Sequence, residues 1–142
     1  MNIINVTTDK QRNDAYQVRK EVFVEEQGVP VELEIDELEE EAIHFVGYEE
    51  EQPVAASRMR FVDTYAKMER ICVKKEWRGK GLGKELLLAM EDAARKHDYQ
   101  QAKLHAQVHA KAFYQSLGYI VLSDKEFMDA GIPHVAMVKS LE

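Results

Sequence analysis

Cysteine is almost missing from this 142-residue chain, and the single one, Cys72, can neither close an internal disulfide nor build a cysteine-rich zinc site. A reducing compartment follows, and the cytoplasm is the expected location. Long apolar runs are missing too. No stretch approaches the roughly 18 apolar residues that cross a bilayer, and Met1-Asn2-Ile3-Ile4-Asn5 lacks a basic region followed by a long apolar one. No membrane partner is expected. With three prolines and seven glycines there is no Pro/Gly-rich linker, and no repeat or low-complexity tract breaks the chain. One domain over residues 1–142 is the simplest organisation. Positive charge is in deficit: 19 Lys and Arg against 26 Asp and Glu leave a net charge of −7. A general nucleic-acid binder, which draws its affinity from basic contacts to phosphates, is disfavoured.

The deficit is local. From Glu21 to Ser57 there are 13 acidic residues and no Lys or Arg, so the remaining residues carry +6, from 19 basic and 13 acidic groups. The acidic stretch reads either as a solvated loop or as one wall of a site that attracts a cation. His44, His97, His105 and His109 are scattered; the one His-x-x-x-His pair, His105 and His109, falls at the end of a strand reading and has no Cys spacing beside it, so no metal site is expected.

Periodicity supplies the elements. Asn2 to Val6 reads as a strand. Asp9 to about Glu26 reads as a helix capped by Thr8 or Asp9, with Ala15, Val18 and Val22 on one face, and Gln27-Gly28-Val29-Pro30 breaks it. A loop follows, with a short helix around Glu37 to Glu41. Ile43 to Glu49, Val54 to Val62 and Ala66 to Val73 read as a meander, its first turn spanning Glu50-Glu51-Gln52-Pro53. Trp77 to Lys96 carries the best apolar stripe, Leu82, Leu86, Leu87, Met90 and Ala94. Then come a strand from Ala102 to Val108, a short helix from Ala110 to Leu117 closed by Gly118, and closing strands over Tyr119 to Phe127 and His134 to Lys139. The order β-α-β-β-β-α-β-α-β-β makes an α/β fold with a sheet of mixed direction.

The informative segment joins the third meander strand to the long helix: Arg78-Gly79-Lys80-Gly81-Leu82-Gly83-Lys84. The unpaired N–H groups of a helix's first turn and its positive dipole end favour an anion there. Glycines let the backbone approach phosphate oxygens, and Arg78, Lys80 and Lys84 add positive charge. A pyrophosphate fits. A Walker loop does not, since Gly83-Lys84 is followed by Glu85 and no earlier glycine matches; the Gly-x-Gly-x-Gly spacing also departs from the dinucleotide fingerprint.

These residues resemble the Gln/Arg-x-x-Gly-x-Gly/Ala acetyl-CoA motif of the GCN5-related N-acetyltransferase (GNAT) superfamily. Ala110-Lys111-Ala112-Phe113-Tyr114-Gln115-Ser116-Leu117-Gly118-Tyr119 is similar to that family's A-x-x-x-Tyr-x-x-x-Gly-Phe/Tyr segment. The element order agrees, so the resemblance covers nearly the whole chain. It implies a mostly antiparallel sheet splayed between its fourth and fifth strands, with the pantetheine of acetyl-CoA in the gap. Backbone groups of Ile71, Cys72 and Val73 would meet the pantetheine, and amides from Arg78 to Lys84 the pyrophosphate. Gln107 stands where many relatives have an Asn that contacts the cofactor. Glu26 and Gln27 fall where relatives form the acceptor pocket, and a homodimer is common in the family.

The implied reaction is direct attack of a neutral amine on the thioester, which needs a proton acceptor for the amine and a donor or stabiliser for the sulfur. Tyr114 matches the family's general acid. The base is open between Glu69, which period-2 alternation puts on one face with Ile71 and Val73 while Arg70 points the other way, His134 at the entry to the last strand, and a water chain. Val18 to Gln27 and Gly131 to Met137 resemble a small bacterial subgroup of the superfamily whose acceptor is unassigned. Met68 to Gly83 resembles the glucosamine-6-phosphate N-acetyltransferases. The acidic stretch favours instead a cationic acceptor, a small amine, a polyamine or a lysine side chain.

Overall fold

The computed structural model describes residues 1–142. Along the chain come β1 (Asn2–Asn5), α1 (Asp9–Arg19), α2 (Val31–Glu34), β2 (Ile43–Glu49), β3 (Gln52–Val62), β4 (Tyr65–Val73), α3 (Leu82–Lys96), β5 (Gln101–Gln107), α4 (Lys111–Ser116), β6 (Ile120–Val121), β7 (Phe127–Asp129) and β8 (Ile132–Ser140). The strands form one sheet in the order β1-β2-β3-β4-β5-β8-β6, with β7 paired to β8. Every pairing is antiparallel except β4 with β5. The expected α/β architecture is therefore present, with a parallel seam at its centre.

Apolar patterning fixes which helix covers which face. Leu82, Leu86, Leu87, Met90 and Ala94 of α3 pack with Met59, Met68, Leu104 and Met137 in the larger core. Ala15 and Val18 of α1 pack with Val22, Val46, Ala56 and Cys72 on the other face. The N-terminus of α1 is set by Thr8, whose side chain accepts from Gln11 N–H at 3.2 Å while Gln11 reaches back to Thr8 N–H at 3.3 Å.

Several boundaries differ from the sequence reading. The first helix does run to Glu26, but Lys20–Glu26 is a π-helix, with Gln27 N–H donating to Val22 O at 3.2 Å. Gly79 and Gly81 have φ of 78° and 81°, so the long helix starts at Leu82 rather than Trp77, which lies in a separate 3₁₀ turn, Lys75–Trp77. The first meander turn needs only Glu50 and Glu51, both at positive φ, so Pro53 falls inside β3. The expected short acidic helix becomes two pieces, α2 and a 3₁₀ turn over Glu39–Glu41. Tyr119 to Phe127 is not one strand. Only Ile120–Val121 pairs with β8 there, and Phe127–Asp129 forms a separate hairpin with β8 through Ala130 and Gly131, both at positive φ. No helix is long and apolar enough to cross a membrane.

Candidate active site

The sheet parts at its parallel seam. β4 and β5 pair only over Ala66–Met68 and Ala102–Leu104. Just beyond, β4 carries a bulge: Arg58 pairs with Glu69 but Ala56 with Cys72, so Arg70 and Ile71 together stand opposite Ser57. Arg70 takes a φ of 57° to make the bulge. A bulge bends its strand and ends regular pairing, which accounts for the gap. A cavity of about 1010 Å³ fills it, lined by Glu69–Val73 on one wall and by His105, Gln107 and Tyr114 on the other.

The bulge also overturns one expectation. Beyond it the faces exchange: Cys72 joins the α1 side, whereas Ile71 and Val73 pack with the α3 core. Glu69 thus does not share a face with Ile71 and Val73. It lies with Arg58 and Arg60 instead, which donate to it at 3.0 and 2.8 Å, with Lys67 at 3.3 Å. Burial pushes the Glu69 carboxyl up, but the Arg60 hydrogen bond and the Arg58 and Lys67 charges outweigh it and hold the group at about 2. A carboxylate that acidic is a weak base. Cys72 is buried and its thiol is pushed up to about 12 by burial, so it holds its proton, which disfavours a nucleophilic role.

The glycine loop behaves as its chemistry suggests. Gly81, left-handed, is the N-cap of α3, and no side chain caps the helix, which leaves the first-turn amides of a 15-residue helix available to an anion. A Cβ on Gly83 would meet the Phe113 ring of α4 at 3.4 Å, so α4 packs close against this turn. Lys80 sits 4.9 Å from the centroid of Trp77. Lys74 N–H donates to Val54 O at 2.9 Å, so the amide groups of Val73, the neighbouring residue in an extended strand, face the cleft. There the Val73 carbonyl accepts from Arg78 Nε at 2.9 Å.

The end of the π-helix is tied to both walls. Glu26 receives two hydrogen bonds from Arg78, at 2.7 and 2.6 Å, and the Arg78 partnership lowers its carboxyl. Gln27 accepts from Gln107 Nε2 at 2.9 Å, and Gln107 in turn partners His109. Both Glu26 and Gln27 line the cavity, as do Arg78 and Gln107.

Tyr114 of α4 is buried and lines the cavity, its ring set edge-on between Phe113 and Tyr119 at 5.1 and 6.0 Å. Burial, then the nearby Cys72, pushes its hydroxyl above the usual phenol range, so it holds its proton. His134 lines the same cavity from β8. Its Nδ1 lies 2.7 Å from the Ile132 carbonyl, which can only accept. The neutral ring therefore carries its proton on Nδ1 and its free lone pair on Nε2. Phe127 stacks on His134 at 6.0 Å and meets His105 edge-on at 5.0 Å.

The acidic stretch is not a solvated loop. Glu34, Asp36 and Glu39 meet Arg19, Arg58 and Arg70 in a largely buried network, with Arg19 Nη2 2.7 Å from Glu39 and Arg58 Nη1 2.8 Å from Asp36. Sequence reasoning missed Arg70 and Asp36 as cavity residues. The only signal was local: Glu69-Arg70 followed by Ile71-Cys72-Val73 is two polar then three apolar residues, a break in alternation that marks a bulge.

A sheet split between two parallel strands, with a glycine loop and an uncapped helix start beside the split and a protonated tyrosine inside it, defines an acyltransferase architecture. The comparisons agree. The family description Acetyltransferase (GNAT) domain matches residues 6–141. The uncharacterized N-acetyltransferase YjcF of Bacillus subtilis (strain 168) is 50% identical over 139 residues, covering 98% of this chain and 99% of that one. The crystal structure of an acyl-CoA N-acyltransferase from Pseudomonas aeruginosa superposes with a TM-score of 0.85 at 26% identity, over 97% of each chain. In fold alone, an aminoglycoside 6'-N-acetyltransferase complexed with coenzyme A matches with a TM-score of 0.79 at 15% identity, over 100% of this chain and 98% of that one. The chain belongs to the GNAT superfamily of N-acetyltransferases.

Proposed function

We propose that the chain is a cytoplasmic N-acetyltransferase that moves an acetyl group from acetyl-CoA directly to a primary amine of a small molecule or peptide. The observation that carries this reading is one cavity that runs from Val73 and Arg78, beside the uncapped start of α3, to the buried Tyr114 and His134. The residues fit the co-substrate: cleft-facing Val73 amide groups suit an extended pantetheine, and the amides of Arg78 to Lys84 suit a pyrophosphate. Acetyl-CoA supplies the activated acyl group as a thioester.

The chain's own residues then manage two protons. His134 Nε2 accepts the proton that the amine nitrogen loses as its bond to the acyl carbon forms. The Tyr114 hydroxyl makes no hydrogen bond inside the protein, keeps its proton through burial, and gives it to the sulfur as the carbon–sulfur bond breaks. The paired, strongly acidic Glu69 is a structural anion in this scheme.

Acetyl-CoA at about 100 times its dissociation constant should stabilise the fold by roughly 2.7 kcal/mol. Thiol release in the presence of an amine should fall by about 10²-fold or more in Tyr114→Phe, with acetyl-CoA stabilisation retained. Absence of stabilisation at saturating acetyl-CoA would sink the reading.

A further inference from the structure

The acidic wall of the cavity has no acceptor to spare. All six carboxylate oxygens of Glu34, Asp36 and Glu69 already face a cationic donor within 3.3 Å. Arg19 and Arg70 lie 2.9 and 3.2 Å from the two oxygens of Glu34. Arg58 lies 2.8 Å from Asp36 Oδ1, and Arg58 and Arg70 lie 3.2 and 3.3 Å from Oδ2. Arg58 and Arg60 take Glu69 Oε1 at 3.0 and 2.8 Å, and Arg60 and Lys67 take Oε2 at 3.2 and 3.3 Å. An ammonium arriving here finds no unpaired carboxylate to meet it. Asp129 at the β7–β8 turn is the one cavity-lining carboxylate outside this pairing and the Glu26–Arg78 pair, and it is exposed.

Donors, by contrast, are left over. Arg70 is pinned by Nε to the Glu34 carbonyl at 3.3 Å and by Nη2 to the Leu33 carbonyl and Asp36 at 3.2 and 3.3 Å. Its Nη1 has no partner in the protein. The only buried side-chain polar atoms without partners are His44 Nδ1 and Ser57 Oγ, so Nη1 is open to solvent. Lys67, also lining the cavity, uses its ammonium for Glu69 alone. The left-handed backbone that holds Arg70 is uncommon for a residue with a side chain and stores strain. A guanidinium fixed on three sides with one amino group free is a preorganised oxyanion donor.

We propose that the acceptor amine carries an anionic oxygen group, a carboxylate or a phosphate, which Arg70 Nη1 holds with help from Lys67 while the amine faces the thioester end. This rests on the acetyltransferase reading and names its substrate class. It also reverses the cationic preference that the acidic stretch suggests by composition alone.

The test uses matched acceptors with acetyl-CoA: β-alanine against β-alaninamide, phosphoethanolamine against ethanolamine, and putrescine as a dication. Release of CoA thiol gives kcat/KM for each. At least one anionic member should exceed its uncharged or cationic match roughly tenfold or more, as a charge-assisted hydrogen bond predicts, and which pair shows it separates carboxylate from phosphate. Arg70→Gln should bring that ratio towards one, mainly through KM for the acceptor. Lys67→Gln should lower the same ratio and serves if Arg70→Gln fails to fold. Equal use within both pairs, a preference for putrescine, no use of either anionic member, or an equal loss for both members of a pair in the variants overturns the proposal. Thiol release with ethanolamine or putrescine at a kcat/KM equal to or above that of both anionic members would do so while leaving the acetyltransferase reading standing. Loss of both thiol release and acetyl-CoA stabilisation would instead remove the reading beneath it.

Discussion

Side chains near the cleft divide into those that can change state and those that are locked. Tyr114 keeps its proton because burial disfavours the phenolate, and His134 keeps a lone pair on Nε2 because a carbonyl claims Nδ1. Glu69 and Cys72 are locked in opposite states, the first ionised and the second protonated. A buried ion pair stands behind Tyr114. Glu91 of α3 is buried and takes Lys139 Nζ at 3.0 Å and the Tyr119 hydroxyl at 2.9 Å, and the Tyr119 ring supports Tyr114. Lys139→Met removes the cation and leaves a buried carboxylate with one neutral donor. It should destabilise the fold by about 3 kcal/mol in chemical denaturation, whereas Lys10→Met at an exposed pair 3.0 Å from Asp14 should cost well under about 1 kcal/mol.

Among the elements, the stretches with regular period were legible and those built on exceptions were not. The α3 stripe, the α1 face and the meander could be read because each follows one periodicity for two turns or more. The glycine loop could be read because Gly79, Gly81 and Gly83 stand where a helix start needs freedom or room. The bulge, the π-turns after Arg19 and the two-residue β6 depend on tertiary pairing and left only a faint trace in composition. The loop invites a direct trial. Gly81→Ala places a Cβ in open space, so any cost comes from the left-handed backbone alone. It should lower stability by about 1 to 2 kcal/mol, and titration should show weaker acetyl-CoA binding, because a shifted N-cap re-aims the first-turn amides. Unchanged stability and affinity would mean that Gly81 is not required at this φ.

Across the whole molecule, the uneven charge of the sequence turns out to be folded against itself. The acids of residues 34–41 and the arginines at 19, 58, 60 and 70 lie far apart in the chain and meet only in the fold. Composition showed the two sets but not their meeting, which is why the acceptor preference read from sequence differs in sign from the one proposed from the structure. The network should appear in acid unfolding. The Glu69 carboxyl is held at about 2 in the fold against an ordinary 4.5, so its contribution is complete above the unfolded value and is lost as pH falls from about 4.5 towards 2. Asp36 and Glu39 are lowered too and act in the same direction, whereas burial raises Glu34 and opposes them. Denaturation followed by the fluorescence of the single tryptophan, Trp77, should lose on the order of 2 to 3 kcal/mol through Glu69 over that window. A flat profile down to pH 3 would contradict the network.

The bulge at Arg70 gives β4 a change of parity. Even-numbered Ala66 and Met68 face α3 before it and odd-numbered Ile71 and Val73 face α3 after it, so one added residue keeps the strand on the larger core while Cys72 meets the smaller one. Deleting Arg70 would therefore act on the bend and not on the packing. It would restore strict alternation with Ile71, Cys72 and Val73 keeping the faces they now occupy, and it would remove the bend that keeps β4 clear of β5. The opening in the sheet thus hangs on a single added residue, and the strand can lose that opening while both of its faces stay wired as they are.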